Sequence, residues 1–394
     1  MENLNNTELT EYGMYLASLM GHSLSGTEPA KPFEGFDWEY LYKLARFHNV
    51  VSLIYPAVST LEIPKETLEE FEYENHRHMA REARQEIEAQ RVFNVLNHHN
   101  IPFIKLKGIV IKNLYPMPYM RSASDVDICM SKEDRQKAFD IMDSLGYTLE
   151  SSINYHDEYS KDNFFIYEIH SDVISTKSNL YPLFKNPFEK STPDKDNNLQ
   201  YVLSPEYFYL NLVTHLHKHF ISEGCGLRLF SDIYIYRKAH PEIDFSFINK
   251  VLKKYSLTEF HNNIINLTEC FFENKQPSEK LRQIALYVFK SGEYGNPQLK
   301  KLSWLSSTKS NRLTFKDKAK YFLGNWFPGV KMLKRRYPIL EKAPFLLPVC
   351  WIRRIFYTIF FKRSALKEQR DEIKRLNSDE LKEAKRIRNL AGLK

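Results

Sequence analysis

The chain has 394 residues, 43% of them hydrophobic and 14% aromatic, which suffices for two or three domains and excludes a chain disordered throughout. Its four cysteines, Cys129, Cys225, Cys270 and Cys350, stand far apart with no CxxC pair, which excludes a zinc ribbon and argues against a disulfide framework. The net charge of +7 is gathered at one end: residues 315–394 carry 21 lysines and arginines against 8 aspartates and glutamates, and the remainder 35 against 41, so an anionic partner, nucleic acid or membrane surface, is expected for the C-terminal fifth.

The stretch from Met1 carries early glutamates and lacks a basic segment followed by an apolar core, so a cytoplasmic setting is expected rather than secretion. Residues from about 7 to 99 read as helices. Trp38, Leu41, Leu44 and Ala45 fall at helical spacing behind Asp37 as N-cap. The run from Pro64 to about Asn97 is long, charged and sparse in apolar residues, the pattern of a helix lying across another domain. The pattern then changes. Ile101 to Ile104 is strand-like, Lys105 to Gly108 a turn, and Ile109 to Leu114 a helix broken by Tyr115-Pro116-Met117-Pro118. Arg121 to Ser124 is loop, Asp125 to Met130 a strand, Lys132 to Leu145 a helix closed by Gly146, and Phe164 to Ile169 a strand between polar loops. Strands separated by helices over roughly residues 100–200 indicate an α/β or α+β domain. Ser204-Pro205-Glu206 starts a helix carrying Tyr209, Leu212, Val213 and Leu216, another covers Phe230 to Ala239, and helices continue through about Lys290. Residues 291–315 read as a polar linker. Four regions follow: 1–99 helical, 100–203 mixed, 204–300 helical, and 301–394 a basic, partly apolar tail.

Alternation along Asp125-Val126-Asp127-Ile128-Cys129-Met130 puts Asp125, Asp127 and Cys129 on one face of a strand and Val126, Ile128 and Met130 on the other. The second set fills a core. The first sets two carboxylates side by side, and a divalent cation relieves their repulsion, magnesium being suited to hard oxygen ligands. Asp125 and Asp127 would bridge two such ions, which stabilise the attacking and leaving oxygens of an in-line displacement at phosphorus. A D-x-D motif alone equally describes solvated aspartates near a turn. Upstream, Lys107-Gly108 at a strand-to-helix junction admits a phosphate close to the backbone, Lys105 and Lys107 add charge, and Arg121 is placed to clamp a triphosphate.

The span Ile104 to Gly146 resembles the polymerase-β-like nucleotidyltransferases, and within them a large, poorly characterised bacterial branch. The residues that carry the resemblance are Lys107-Gly108, Leu114-Tyr115-Pro116, Arg121 and Asp125-Val126-Asp127-Ile128. It implies an α+β fold in which a polymerase-β-like core, a short mixed sheet with helices, is flanked by N-terminal and C-terminal helical regions, 204–300 closing the cleft. It also implies a third carboxylate on a later strand, for which Glu168-Ile169-His170 matches the branch's E-x-H. Glu168 would complete the metal site and help deprotonate the acceptor hydroxyl, with Asp172 as the weaker alternative. The implied reaction moves a nucleoside monophosphate from an NTP, with two Mg2+ ions, to an acceptor hydroxyl and releases pyrophosphate. The wider superfamily has G-S or G-G at the phosphate turn, whereas here Ile109 follows Gly108, so Lys105, Lys107 or Arg121 must hold the triphosphate.

His215 and His219, in His215-Leu216-His217-Lys218-His219, share a helix face at i, i+4. They read as cleft-lining groups touching nucleotide or acceptor, as structural histidines, or as ligands of a zinc hydrolase without the glutamate of H-E-x-x-H. The apolar run Ala343 to Phe361 holds Arg353, Arg354, Pro344 and Pro348 and is a poor spanning helix. Flanked by Lys334-Arg335-Arg336 and Lys362-Arg363, it either packs on the helical domain or makes peripheral contact with an anionic membrane, and Ala365 to Lys394 reads as a charged helix. The competing function is thus a catalytically degenerate transferase-fold module binding a partner or membrane through this tail.

Overall fold

The computed structural model describes residues 5–153, 155–162, 164–293, 295, 326–333, 337, 339–361 and 378–393. Two compact units divide them. The first contains the described residues within 1–220, 224–295 and 389–394; the second contains those within 221–223 and 296–388.

The first unit opens with helices α1 (Asn6–Ser25), α2 (Trp38–Phe47), α3 (Val51–Val58) and α4 (Lys65–His98). Asn5 and Glu8 form a reciprocal capping box at α1, and the Asp37 carboxylate accepts the Tyr40 N–H at the start of α2, so local sequence sets both helix starts. The 34-residue α4 buries Phe71 against Tyr42 of α2 near its start, and Ala89, Val92, Phe93 and Leu96 against the sheet near its end. It ties the N-terminal helices to the sheet.

The strands are β1 (Phe103–Lys105), β2 (Val126–Cys129), β3 (Thr148–Ile153), β4 (His156–Lys161), β5 (Phe165–His170), β6 (Ser191–Asp194) and β7 (Asn197–Leu203). They form one sheet in the order β3-β4-β5-β2-β1-β7-β6. The pairs β2/β5 and β1/β7 are parallel and the others antiparallel. A mixed α/β unit is therefore present, as expected. The strands β3, β4, β6 and β7 add to the two and the strand-like run anticipated between 100 and 200. Val126, Ile128 and Met130 join Phe103, Tyr159, Tyr167 and Ile169 in one core, covered by α4 and by α6 (Lys132–Ser144). The expected helix over Ile109 to Leu114 is one α turn, α5 (Gly108–Ile111), running into a 3-10 turn, Lys112–Leu114. So short a helix contributes little macrodipole.

After a single turn, α7 (Tyr181–Phe184), the chain forms α8 (Pro205–Ser222), α9 (Leu227–Ala239), α10 (Phe245–Lys254), α11 (Thr258–Phe272) and α12 (Glu279–Ser291). The helices on either side of the sheet in sequence pack together. Gly13 of α1 lies against the Phe289 ring of α12, and Gly21 against the Phe272 backbone at the end of α11; a Cβ at either glycine would stand under 3 Å from those atoms.

In the second unit, Leu333, Leu340 and Cys350 form a small core with Tyr337 and Trp351, and Trp351 donates to the Pro328 carbonyl at 2.8 Å. The apolar run expected over 343–361 is a 3-10 turn, Pro344–Leu346, followed by a helix, Leu347–Phe361. Among the described residues no helix is long and apolar enough to cross a membrane. The charged C-terminal run is helical over Ser378–Leu390. Most of the expected linker and both basic flanks of the apolar run lie outside the described residues.

Candidate active site

Strand β2 runs parallel to β5 with Asp127 directly opposite Glu168. Because opposed residues share a sheet face, the two carboxylates lie side by side, and His170, two residues after Glu168, shares that face. The His170 imidazole Nε2 stands 2.9 Å from Asp127 Oδ1 and 3.2 Å from Glu168 Oε2. Asp127 Oδ1 also accepts from the Lys107 ammonium at 2.8 Å. Asp125 precedes the strand by one residue, and its carboxyl is close enough to Asp127 and Glu168 to feel both charges.

The electrostatics are those of a crowded, buried acid centre. Burial and repulsion from Asp127 raise the Asp125 pKa. Burial also opposes charge on Asp127, yet Lys107 and His170 hold that carboxyl well below the usual carboxylate range. For Glu168 the hydrogen bond from His170 lowers the pKa against burial and repulsion from Asp127. Burial disfavours the charged forms of His170 and Lys107, but the carboxylates more than offset it, and both pKa values rise.

Asp127, Glu168 and His170 each bring one ligand atom within 4.8 Å of the others, and among the described residues they are the group of three suited to a metal ion. Carboxylate oxygens dominate this donor set, with Asp125 at its border, which fits a divalent cation such as Mg2+ or Mn2+. His170 is the residue sequence reasoning left without a role; its signal was the i, i+2 spacing from Glu168. His156 of β4 faces His170 in register, their rings 5.2 Å apart, and burial followed by repulsion from His170 lowers its pKa.

The remaining expected residues separate into those at this centre and those elsewhere. Lys107 is inside it. Its backbone sits at φ +42°, ψ −116°, and its carbonyl accepts the Val110 and Ile111 N–H groups. His215 of α8 is half-buried, and its pKa is lowered well below the ordinary value by desolvation first and then by the Lys107 ammonium. The His219 ring stands 4.5 Å from that of His215. Neither histidine belongs to a cluster of three metal-ligating groups among the described residues.

Lys105 is carried to the other side of the sheet. It stands opposite Ile128, whose side chain faces away from Asp127, and its ammonium pairs with Asp194 of β6 at 2.6 Å. Asp172 is engaged by Tyr181 at 3.0 Å and by Ser171 at 3.4 Å and is absent from the cluster of three.

Arg121 is buried and committed to Asp232 of α9, donating through Nε at 3.2 Å and Nη2 at 2.8 Å rather than standing open to a triphosphate. Tyr115 completes this arrangement by donating to Asp232 Oδ1 at 2.8 Å, with Ser231 at 2.9 Å. Gly108 is needed because a Cβ there would meet Arg121 Nη1 at 2.6 Å. The loop into β2 is held further by Asn49 on the Ser122 hydroxyl and by Arg228 on the Ser122 carbonyl; Arg228 also pairs with Glu293. Arg121, Arg228 and Asp232 thus fix the segment that delivers Asp125 and Asp127.

The paired acids thus sit on adjacent parallel strands, β2 and β5, inside a mixed sheet. Residues 34–273, more than half of the chain, match the model of a family described as uncharacterised nucleotidyltransferase. The chain belongs to this family, and with it to the transferases of phosphorus-containing groups, which implies a nucleotide substrate. No curated protein matches it. Among solved structures it is similar to the antibiotic-resistance factor ANT(2'')-Ia, at 12% identity and a TM-score of 0.34, over 46% of this chain and 98% of that one; the likeness is slight.

Proposed function

We propose that the chain transfers a nucleoside monophosphate from a metal-bound NTP to an acceptor hydroxyl, on a polymerase-β-like core, at the centre formed by Asp125, Asp127 and Glu168. The observation that carries this reading is the register of β2 against β5, which sets Asp127 beside Glu168 with Asp125 at the strand's entrance. In the reaction the acceptor oxygen bonds to the α-phosphorus, the bond from that phosphorus to the bridging oxygen of pyrophosphate breaks, and the hydroxyl proton leaves to a base. Asp125, Asp127 and Glu168 would hold Mg2+, which when bound supplies charge stabilisation to the oxygens around phosphorus.

The protein's own groups divide the remaining work. Glu168 is the more open member of the pair, its side chain 27% exposed against 5% for Asp127, and so faces the acceptor's proton as general base. His170 orients both carboxylates through one ring nitrogen. His215 and His219, neighbours on α8, would be the groups that meet nucleotide or acceptor. His215, kept neutral by burial and by Lys107, offers a hydrogen bond rather than a charge to nucleotide or acceptor. Arg121 acts as a positioning residue through Asp232.

Calorimetric titration with non-hydrolysable ATP, GTP, CTP and UTP analogues, each with Mg2+, tests the reading. At least one should bind, and Asp127→Asn should weaken that binding by at least tenfold. Failure of all four to bind, or indifference to Asp127→Asn, would overturn it.

A further inference from the structure

We infer that the Lys107 ammonium is a built-in cation that takes one of the two positive positions of this acid centre, so that the working site loads a single divalent ion. The inference rests on the nucleotidyl-transfer reading and narrows it.

Lys107 is not a surface lysine that happens to reach inward. Its side chain is 17% exposed, and its Nζ lies 2.8 Å from Asp127 Oδ1, with Glu168 and Asp125 as further attracting charges. The preceding residue locks into the sheet, Leu106 N–H donating to the Asp127 carbonyl at 3.1 Å, and the following turn closes on the Lys107 carbonyl. The side chain therefore leaves the backbone from a fixed point beside β2.

That backbone point is unfavourable for lysine. A φ of +42° with ψ of −116° is territory that glycine enters freely and that costs a residue with a Cβ about 1–3 kcal/mol. Nothing in the turn itself requires a side chain there. The ammonium among three carboxylates is the interaction that offsets the strain, because a buried acid cluster without a counter-charge is costlier still.

The ammonium also occupies a carboxylate oxygen that a second ion would need. Asp127 Oδ1 already accepts from both Lys107 and His170, so it is poorly disposed to bridge two metals.

Counting Mn2+ by electron paramagnetic resonance tests the inference, using the full-length protein saturated with a non-hydrolysable nucleotide. Only ions lost in Asp127→Asn are counted. The wild type should hold one Mn2+ per chain, Lys107→Arg one, and Lys107→Ala two. Two ions on the wild type would overturn the lysine's role while leaving the nucleotidyl-transfer reading intact. One ion on both wild type and Lys107→Ala would likewise overturn it. No Mn2+ on the wild type would remove both readings. Two ions on the wild type overturn the inference even if Lys107→Ala does not fold, and Lys107→Gln, expected to hold two, replaces that variant in the comparison.

Discussion

The guanidinium of Arg121 and the carboxylate of Asp232 are both almost completely buried, and each makes burial of the other tolerable. Removing one partner leaves an uncompensated buried charge, for which the expected cost is about 3–5 kcal/mol. Arg121→Met and Asp232→Leu, each measured by urea unfolding, should lose roughly that much stability. The double variant should lose less than the two single losses added together. A loss under about 1 kcal/mol in either single variant contradicts this role. At the residue scale the sequence is a partial guide. Strand alternation shows Asp125 and Asp127 on one face, and the E-x-H spacing shows Glu168 and His170 on one face, because both facts are local. Arg121 and Asp232 are separated by 111 positions, and no local pattern announces that such a pair will close on itself. The positive φ of Lys107 was equally hidden, since Lys107-Gly108 reads as a strand-to-helix junction and nothing local marks the lysine as the residue that takes it.

At the element scale, several helices meet at one neutral histidine. His48, at the end of α2, donates from Nε2 to the Phe289 carbonyl of α12 at 3.2 Å, and its Nδ1 accepts the Leu227 N–H of α9. Both ring nitrogens are thus spoken for in the neutral form. Burial pushes its pKa from 6.5 down to about 4. His217 and His261 are lowered to about 4 as well, chiefly by burial. Between those values the unfolded chain takes up protons that the folded chain refuses, so stability rises with pH across the window and is lost as pH falls from 6.5 towards 4. At its steepest each histidine contributes about 1.4 kcal/mol per pH unit. The thermal midpoint should fall steadily from about pH 6.5 to about pH 4.5, and His48→Gln should flatten that slope. An unchanged slope in His48→Gln would remove His48 from the account. The helices were readable from caps and spacing. The hairpin of β3 and β4 was not, because Thr148-Leu149-Glu150-Ser151-Ser152-Ile153 and His156-Asp157-Glu158-Tyr159-Ser160-Lys161 are mostly polar, and only Leu149 and Tyr159 join the core. Their pairing with β5, not their own hydrophobic pattern, makes them strands.

For the molecule as a whole, the mixed sheet divides labour between its faces. One face holds the apolar core under α4 and α6, and the other holds the acids and histidines that α8 borders. The family match spans helices on both sides of the sheet in sequence, consistent with a site whose acids come from the sheet and whose struts come from α9. The central claim is that β2 and β5 together hold a divalent cation. Iron-directed cleavage tests it most directly: Fe2+ replaces Mg2+ in the presence of a non-hydrolysable nucleotide, ascorbate and peroxide are added, and the cut positions are mapped by mass spectrometry. Cuts should cluster around residues 125–127 and 168–170 and disappear with excess Mg2+ or in Asp127→Asn. Cleavage confined to other segments, or indifferent to Asp127→Asn, would contradict the claim.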